Sequence, residues 1–343
     1  MAETVAIDVT SFTDLDAVAA DADGALDRDQ QKNLFDRIDW YRLLLQHCDL
    51  GGSPFIVRAR DPDGAAWLFL IRSGRHAKAL ANWYSLEAGP VSHGIVKPAL
   101  FEALARRLRA VNIGSVALYP VTADRLALLS APFRAAGWIV HSPARTANWS
   151  IDLPKTGWDA YLSARPSRLR STLSRKQRSS APEIQIISDF QDNSWDIYEE
   201  IYAESWKPRE GSPSFLRALA RSEGEAGTLR LGIAHDGDKA VAAQFWLVEN
   251  GAATIHKLAH VEDKRSQSSG TLLTAAMFRH AIEQDQVTRV NFGTGDEQYK
   301  ADWMDRRQPL FEVKLFNPWT FRGLSGYMRE RLSDVRSTIR RVT

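Results

Sequence analysis

Short apolar runs of strand length alternate with longer segments of helical period along this chain. Between residues 29 and 48, Leu34, Ile38, Tyr41 and Leu45 recur at the spacing of one helical face. Two strand-like runs follow, Pro54–Arg60 and Ala66–Ile71, joined by the turn Asp61-Pro-Asp-Gly64. The pattern then predicts a helix over 96–111, a strand over 115–119, a helix over 123–136 and a strand over 137–140. Further on, Ala253–His260 reads as a strand. Residues 272, 273, 276, 277 and 281 trace one face of a helix, and Val287–Phe292 reads as a second strand. At the end of the chain Leu324, Met328, Leu332, Val335 and Ile339 form an amphipathic helical stripe. This mixed order predicts an α/β protein.

Composition narrows the class. A chain of 343 residues has room for two domains with separate cores, and 44% hydrophobic with 25% charged residues is a globular balance. A formal net charge of +2 gives no global preference for nucleic acid, so DNA is not an expected partner. Cys48 is the single cysteine, which excludes an intramolecular disulfide and a cysteine-rich metal site. No apolar run reaches bilayer-spanning length, and the N-terminus lacks a basic segment followed by a long apolar one. A cytoplasmic location is the expectation.

Candidate chemistry concentrates late in the chain. After the strand ending at Phe292, Gly293 and Gly295 allow a tight turn, and Asp296 is placed to cap a helix carrying Tyr299, Lys300 and Trp303. A strand, a glycine turn and a helix with an acid, a phenol and an ammonium in its first turns is how a site is built at the carboxyl end of a sheet. Upstream, Gln267-Ser268-Ser269-Gly270-Thr271 opens the helix that follows strand 253–260. A small-residue loop at a helix N-terminus offers free N–H groups and the positive dipole end to a phosphate. His256 and His260 lie two strand periods apart, so they are expected on one face at ~13 Å and unable to share a metal. Lys257 then falls on the opposite, apolar face, where it needs a carboxylate; Asp296 is the expected partner. Trp206 and Lys207 are expected to end a helix that starts near 192–194, and they suit an acceptor pocket wall.

Charge is placed unevenly. Residues 1–40 hold ten Asp/Glu against three Lys/Arg. Arg165, Arg168, Arg170, Arg175, Lys176 and Arg178 form a basic run without an acid, either a solvated helix face or a docking surface for an anionic carrier. Six arginines accompany the C-terminal stripe, which suits packing on a domain or partner subunit, or peripheral contact with an anionic membrane through 321–343.

The residues Ser205-Trp-Lys207, His256-Lys-Leu-Ala259, Ser268-Ser-Gly-Thr-Leu-Leu273 and Phe292-Gly-Thr-Gly-Asp-Glu-Gln-Tyr-Lys300 with Trp303 carry a resemblance over 148–320. That segment resembles the acetyltransferase domain of the GNAT superfamily, in the branch related to FemAB and the CelD-like (BioF2-like) proteins. Gln267, Gly270 and Thr271 fit the superfamily's acyl-CoA loop, while Leu272 stands where a small residue is usual, closer to the FemAB-like loops. The resemblance implies tandem GNAT-like halves with mixed sheets flanked by helices. The expected organisation is an N-terminal half over 1–147, an acyltransferase half over 148–320 carrying the donor motif, and a basic amphipathic helix over 321–343.

It also implies N-acyltransfer from acetyl-CoA or another acyl-CoA to a small-molecule or glycan amine, in cell-envelope or exopolysaccharide metabolism, with no metal. Gln267, Ser268, Ser269, Gly270, Thr271 and Lys257 would hold the donor, and Trp206, Lys207 and Lys300 the acceptor. Tyr299 matches the phenol that GNAT enzymes place near the sulfur and is assigned as general acid; the alternative is a buried core tyrosine. His256 or Asp296 would serve as general base. Two other readings stand beside this one. One is Fem-like transfer from aminoacyl-tRNA, with the tRNA, or an acyl-carrier protein, docked at 165–178. The other is a non-catalytic CelD-like accessory protein of polysaccharide biosynthesis. No serine-nucleophile elbow, no Gly-Lys-Ser/Thr phosphate loop and no cysteine-nucleophile setting stands in the sequence.

Overall fold

The computed structural model describes residues 6–153, 157–179, 181–262 and 268–342, with the last helix described by its backbone alone beyond residue 332. The chain divides into two units, Met1–Thr146 together with Pro309–Thr343, and Ala147–Gln308. The first unit opens with β1 (Asp8–Phe12), α1 (Leu15–Ala22) and α2 (Ile38–His47), then β2 (Ser53–Arg60), β3 (Gly64–Ser73), β4 (His76–Ala79) and β5 (Pro90–Gly94). It continues through α3 (Pro98–Ala110), β6 (Ser115–Val121), α4 (Ala123–Ala135) and β7 (Ile139–His141). The second unit holds most of β8 (Ala144–Asp152), then α5 (Trp158–Ser163), α6 (Ser167–Ser179), β9 (Glu183–Ile187), α7 (Asp192–Ala203) and α8 (Pro213–Glu225). It is completed by β10 (Leu229–Asp236), β11 (Lys239–Glu249), β12 (Ala252–His260), α9 (Ser269–Glu283) and β13 (Arg289–Thr294). The chain ends with β14 (Arg306–Phe316) and α10 (Phe321–Val342).

In the first unit the strands run β1-β2-β3-β4-β6-β14, with β5 on β3 and β7 on β14. The turn between β2 and β3 is held as its sequence suggests: the Asp61 carboxylate accepts from the N–H groups of Asp63 and Gly64, at 2.9 and 3.0 Å. One core joins α3 and α4 to this sheet, through Phe101, Leu104, Leu108, Leu129 and Phe133 against Leu68, Leu70, Val116 and Leu118. Val313 and Leu315 of β14 belong to the same core, because Phe311–Phe316 pair with β6. Residues from 309 onward therefore lie with the first unit, not with the segment over 148–320. The helix expected around Leu34 begins only at Ile38. Leu34–Asp36 forms a separate 3-10 turn capped by Asn33, and Leu44 rather than Leu45 is buried. Among the described residues no helix is long and apolar enough to cross a membrane.

In the second unit the strand order is β8-β13-β12-β11-β10-β9. Every pairing is antiparallel except β12 with β13, which α9 connects as a crossover. The core on the α9 side is aromatic. Phe278 of α9 meets Trp246 edge-on at 5.3 Å and stacks between Tyr161 at 5.1 Å and Trp303 at 5.2 Å. The Tyr161 hydroxyl also donates to the Trp303 carbonyl at 2.9 Å, which ties α5 to the segment after β13.

Removing that hydroxyl leaves a buried carbonyl without this donor. Tyr161→Phe is expected to lower unfolding stability by about 1–2 kcal/mol, the cost of one broken buried hydrogen bond. Urea denaturation of both proteins measures it, and an unchanged midpoint would refute the link.

Candidate active site

The parallel pair β12–β13 sets the site. Ala252–Thr254 pair with Arg289–Asn291, and the register stops there although the strands continue to His260 and Thr294. The two strands thus part toward their carboxyl ends. Positive φ at Gly293 (72°) and Gly295 (127°) helps carry β13 away, a backbone that glycine adopts without strain. A Cβ on Gly295 would run into the Glu297 carboxylate.

A bulge in β12 decides which side chains face the gap. The register with β11 slips between Phe245 and Trp246, so Phe245 opposes Lys257, Trp246 opposes Ile255, and His256 is the extra residue. Trp246 packs toward α9. Phe245 packs toward α7, with its ring 5.4 Å from Trp195, and the His256 ring lies 5.3 Å from Phe245. His256 is therefore buried on the α7 side, while His260 borders the cleft beside α9. Strict alternation puts the two histidines on one face and Lys257 on the other; the inserted residue separates the histidines and sets His256 on the same side as Lys257.

A cleft of about 670 Å³ opens at the carboxyl end of the parted strands. Leu258, Ala259 and His260 of β12, Ser268, Ser269, Gly270 and Thr271 at the start of α9, and Glu297 and Tyr299 after the glycine turn line it. The first turn of α9 faces the cleft with no side-chain cap of its own; Ser268, at φ 60°, occupies the cap position. Free N–H groups at a helix start attract an anion. This turn is braced from below. The buried Gln244 amide donates to Thr274 Oγ1 at 2.6 Å and to the Gly270 carbonyl at 3.3 Å, while its oxygen accepts from Trp246 Nε1 at 2.8 Å. Gly270 lies close to the His260 ring: a Cβ there would come within 3.2 Å of Cδ2. His260 in turn packs against Trp206, the rings tilted by 33° with centroids 4.2 Å apart.

Tyr299 stands in a 3-10 turn, Gln298–Asp302, and is 44% exposed. Its ring meets Phe292 edge-on at 5.5 Å. Desolvation by the cleft wall, then the nearby Glu297 carboxylate, push the phenol's pKa upward, so it keeps its proton. The cap position of this turn belongs to Glu297, not Asp296. Asp296 instead binds the Arg307 guanidinium, at 2.8 Å from Nε, and accepts from Trp149 Nε1 at 3.2 Å. The hydrogen bond from Arg307 holds its carboxyl below the usual carboxylate range, which makes it a poor proton acceptor. Lys300 is 4% exposed and turned inward. Its ammonium donates to the carbonyls of Thr294 at 3.0 Å and Gly295 at 3.4 Å, and pairs with Glu297 at 3.1 Å. It clamps the glycine turn rather than lining the cleft.

Of the residues expected at the site, the cleft collects Ser268, Ser269, Gly270, Thr271, Trp206 and Tyr299. Gln267 lies outside the described residues. His256, Asp296, Lys300 and Lys257 are absent from the lining. Lys257 pairs with Glu210 at 3.2 Å, not with Asp296, because the bulge turns it toward α7. Helix α7 stops at Ala203, and the irregular segment beyond it sends Trp206 into the cleft but Lys207 into a second cavity of about 420 Å³. Tyr198, Tyr202, Arg209 and Glu210 line that cavity with it. Burial first, then the Lys257 charge, lower the Lys207 pKa to about 8. Sequence reasoning missed Gln244 and Asp302 in the cleft and gave His260 and Glu297 no role there. Gln244 sits amid an apolar strand run, a position where a buried amide signals a specific partner.

Residues 165–301 match the family model described as an acetyltransferase (GNAT) domain. No curated protein matches the chain. Among solved structures, FemX is similar at a TM-score of 0.54 and 10% identity, over 81% of this chain and 95% of that one. A tandem GNAT protein from the clavulanic acid biosynthesis pathway gives 0.51 and 14%, over 90% and 98%. L-PGS from Bacillus licheniformis gives 0.51 and 11%, over 77% and 83%. At these identities the likeness is one of fold. The fold is of the tandem GNAT and FemX kind, with the family match lying in the second unit.

Lys207 yields a pH-dependent expectation. A lysine whose folded pKa lies below its unfolded value makes folding costlier wherever it is charged, and that cost fades as pH rises from about 8 toward 10.5. Lys207→Met should raise stability at pH 7 by up to about 3 kcal/mol, the full free-energy equivalent of the shift. The gain should shrink above pH 8. Melting curves from pH 7 to 10 check this, and a gain that grows with pH would contradict the assignment.

Proposed function

We propose that this chain, which carries an acetyltransferase (GNAT) domain on a FemX-like fold, is an N-acyltransferase that moves an acyl group from an acyl-CoA, acetyl-CoA in the simplest case, to an amine. One observation carries the reading. The parting of β12 from β13, the uncapped start of α9 and the Tyr299 hydroxyl all border one cleft. A thioester donor needs these three things: backbone N–H groups for the carbonyl oxygen, a positive helix end for the pyrophosphate, and an acid for the leaving sulfur.

In this reading the pyrophosphate rests on Ser269, Gly270 and Thr271, and the pantetheine runs along the gap between the strands. The thioester carbonyl then lies against β12 near Leu258. The acceptor amine attacks that carbon as a neutral base, the C–S bond breaks, and Tyr299 gives its proton to the departing thiolate. The phenol carries that proton at neutral pH. Within the cleft, His260 is the group placed to accept the ammonium proton, in place of His256 and Asp296, because Glu297 is held by Lys300 and Asp302 by Arg168.

One observation favours a carrier-borne donor as a second reading. The α6 face of Ser167, Arg170, Ser171, Ser174, Arg175 and Arg178 forms an open groove, while Arg168, Leu169 and Thr172 of the same helix line the cleft. An aminoacyl-tRNA or acyl-carrier protein docked on that basic face would lie beside the site. A cytoplasmic setting, and an acceptor drawn from envelope or exopolysaccharide chemistry, belong to this proposal too.

Gly270→Glu would set a carboxylate where the pyrophosphate rests. Acyl-CoA affinity should fall at least about tenfold, or ~1.4 kcal/mol. Calorimetry on the folded variant decides it, and unchanged affinity would exclude the α9 loop as the donor site.

Tyr299→Phe keeps the ring and removes the acid. Turnover should drop roughly 10²-fold with a near-normal Michaelis constant, as for loss of a positioned acid. Turnover and melting temperature measured on one preparation separate this from a packing role. A lower melting temperature with wild-type turnover would mark Tyr299 as structural.

A further inference from the structure

Over residues 321–332, helix α10 is bound to the first unit along one side. Gly323 lies buried against the chain before it: a Cβ there would strike the Asn317 carbonyl oxygen and reach within 2.6 Å of the Gly114 carbonyl. A Cβ on Gly326 would sit 3.1 Å from the Phe316 ring, and Tyr327 packs on that ring at 5.9 Å. Glu330 completes this side through an ion pair with Lys314 at 2.7 Å. Positions 323, 326, 327 and 330 thus form the attached face.

The opposite face is apolar and open. Phe321 is 87% exposed, Leu324 45%, Met328 59% and Leu332 61%. At about 100° per residue, this stripe is centred roughly 150° around the helix from the attached face. Trp319, just before the helix, is 76% exposed as well. Arg322 and Arg329 flank the stripe on one side and Arg331 on the other, all three exposed. Glu330, the acid of the 321–332 segment, is held on the attached face. The backbone remains helical to Val342, and the sequence repeats the apolar spacing at Val335 and Ile339.

We infer that α10 is a membrane-surface helix, which lays the Phe321–Leu324–Met328–Leu332 stripe into the headgroup boundary of an anionic bilayer. Charge argues for this occupant over a second copy of the chain. The exposed face offers arginines around an apolar stripe and keeps its acid turned away, so it complements anionic lipid and repels its own image. Aromatic side chains at one end and arginines beside the stripe suit the depth at which headgroups begin. Contact is peripheral: no helix among the described residues is long and apolar enough to span.

Cosedimentation of the full chain with phosphatidylcholine vesicles, with and without phosphatidylglycerol, tests the inference. Expected is partition onto the phosphatidylglycerol vesicles at least about tenfold stronger than onto phosphatidylcholine alone, weakening as salt rises. Leu324→Gln with Met328→Gln, and separately Arg322→Gln with Arg329→Gln, should each weaken it by about tenfold or more. All four positions are exposed, so melting temperatures should stay at the wild-type value. No partition onto either vesicle, or equal partition by the variants, would overturn the inference. So would a wild-type dimer that Leu324→Gln with Met328→Gln converts to monomer, since a second copy would then own the stripe. Failure of donor binding or turnover in the second unit would leave this result untouched.

Discussion

The early parting of β12 from β13 is the constraint on which the second unit's site depends. Two parallel strands that stay paired present a closed ladder to whatever lies at their ends. Here pairing stops at Thr254 and Asn291, and the remaining length of both strands borders an opening. The glycine turn after β13 and the entry into α9 after β12 are the two ways the chain leaves this opening. Each brings its own chemistry with it: the phenol from one, the helix N-terminus from the other. The α9 crossover makes this possible, because a parallel pair must be joined by a helix that starts near the first strand's carboxyl end.

The bulge at His256 is the second decision, and it divides the labour of the two sheet faces. One inserted residue turns His256 and Lys257 toward α7 and leaves Leu258 and His260 toward α9. Lys257 then finds Glu210, and Lys207 shares its neighbourhood. Two ammonium groups near one carboxylate leave an excess of positive charge beside Tyr202. Both lysines have lowered pKa values, with burial as the first cause.

Much of this was legible in the sequence, for identifiable reasons. The helix over 269–283 announced itself through its apolar face, and the turn at Gly293–Gly295 through residues that tolerate positive φ. Both halves of the α/β order were readable because strands and helices bury apolar residues with different periods. The failures are equally physical. Alternation along β12 was extrapolated through a bulge, and a bulge leaves no trace in a pattern of apolar and polar residues. Asp296 is matched to Lys257 in the sequence because a lysine on an apolar face needs a carboxylate, whereas Glu210, 47 residues away, supplies it and Arg307 takes Asp296. Lys300 is expected from the sequence to hold the acceptor, but the glycine turn ahead of it exposes two carbonyls that its Nζ satisfies.

That clamp clarifies why an acid and a phenol can neighbour one another without sharing a task. Lys300 draws Glu297 toward the glycine turn and fixes the cap residue of the 3-10 segment. Arg307 draws Asp296 in another direction, toward Trp149. The chain between these anchors is short, so Tyr299 has little freedom left, and Phe292 limits its ring from below. A residue held by its neighbours' ion pairs needs few bonds of its own to stay in place. The hydroxyl is then left for whatever enters the cleft, and the charges that surround it serve mainly to keep it there.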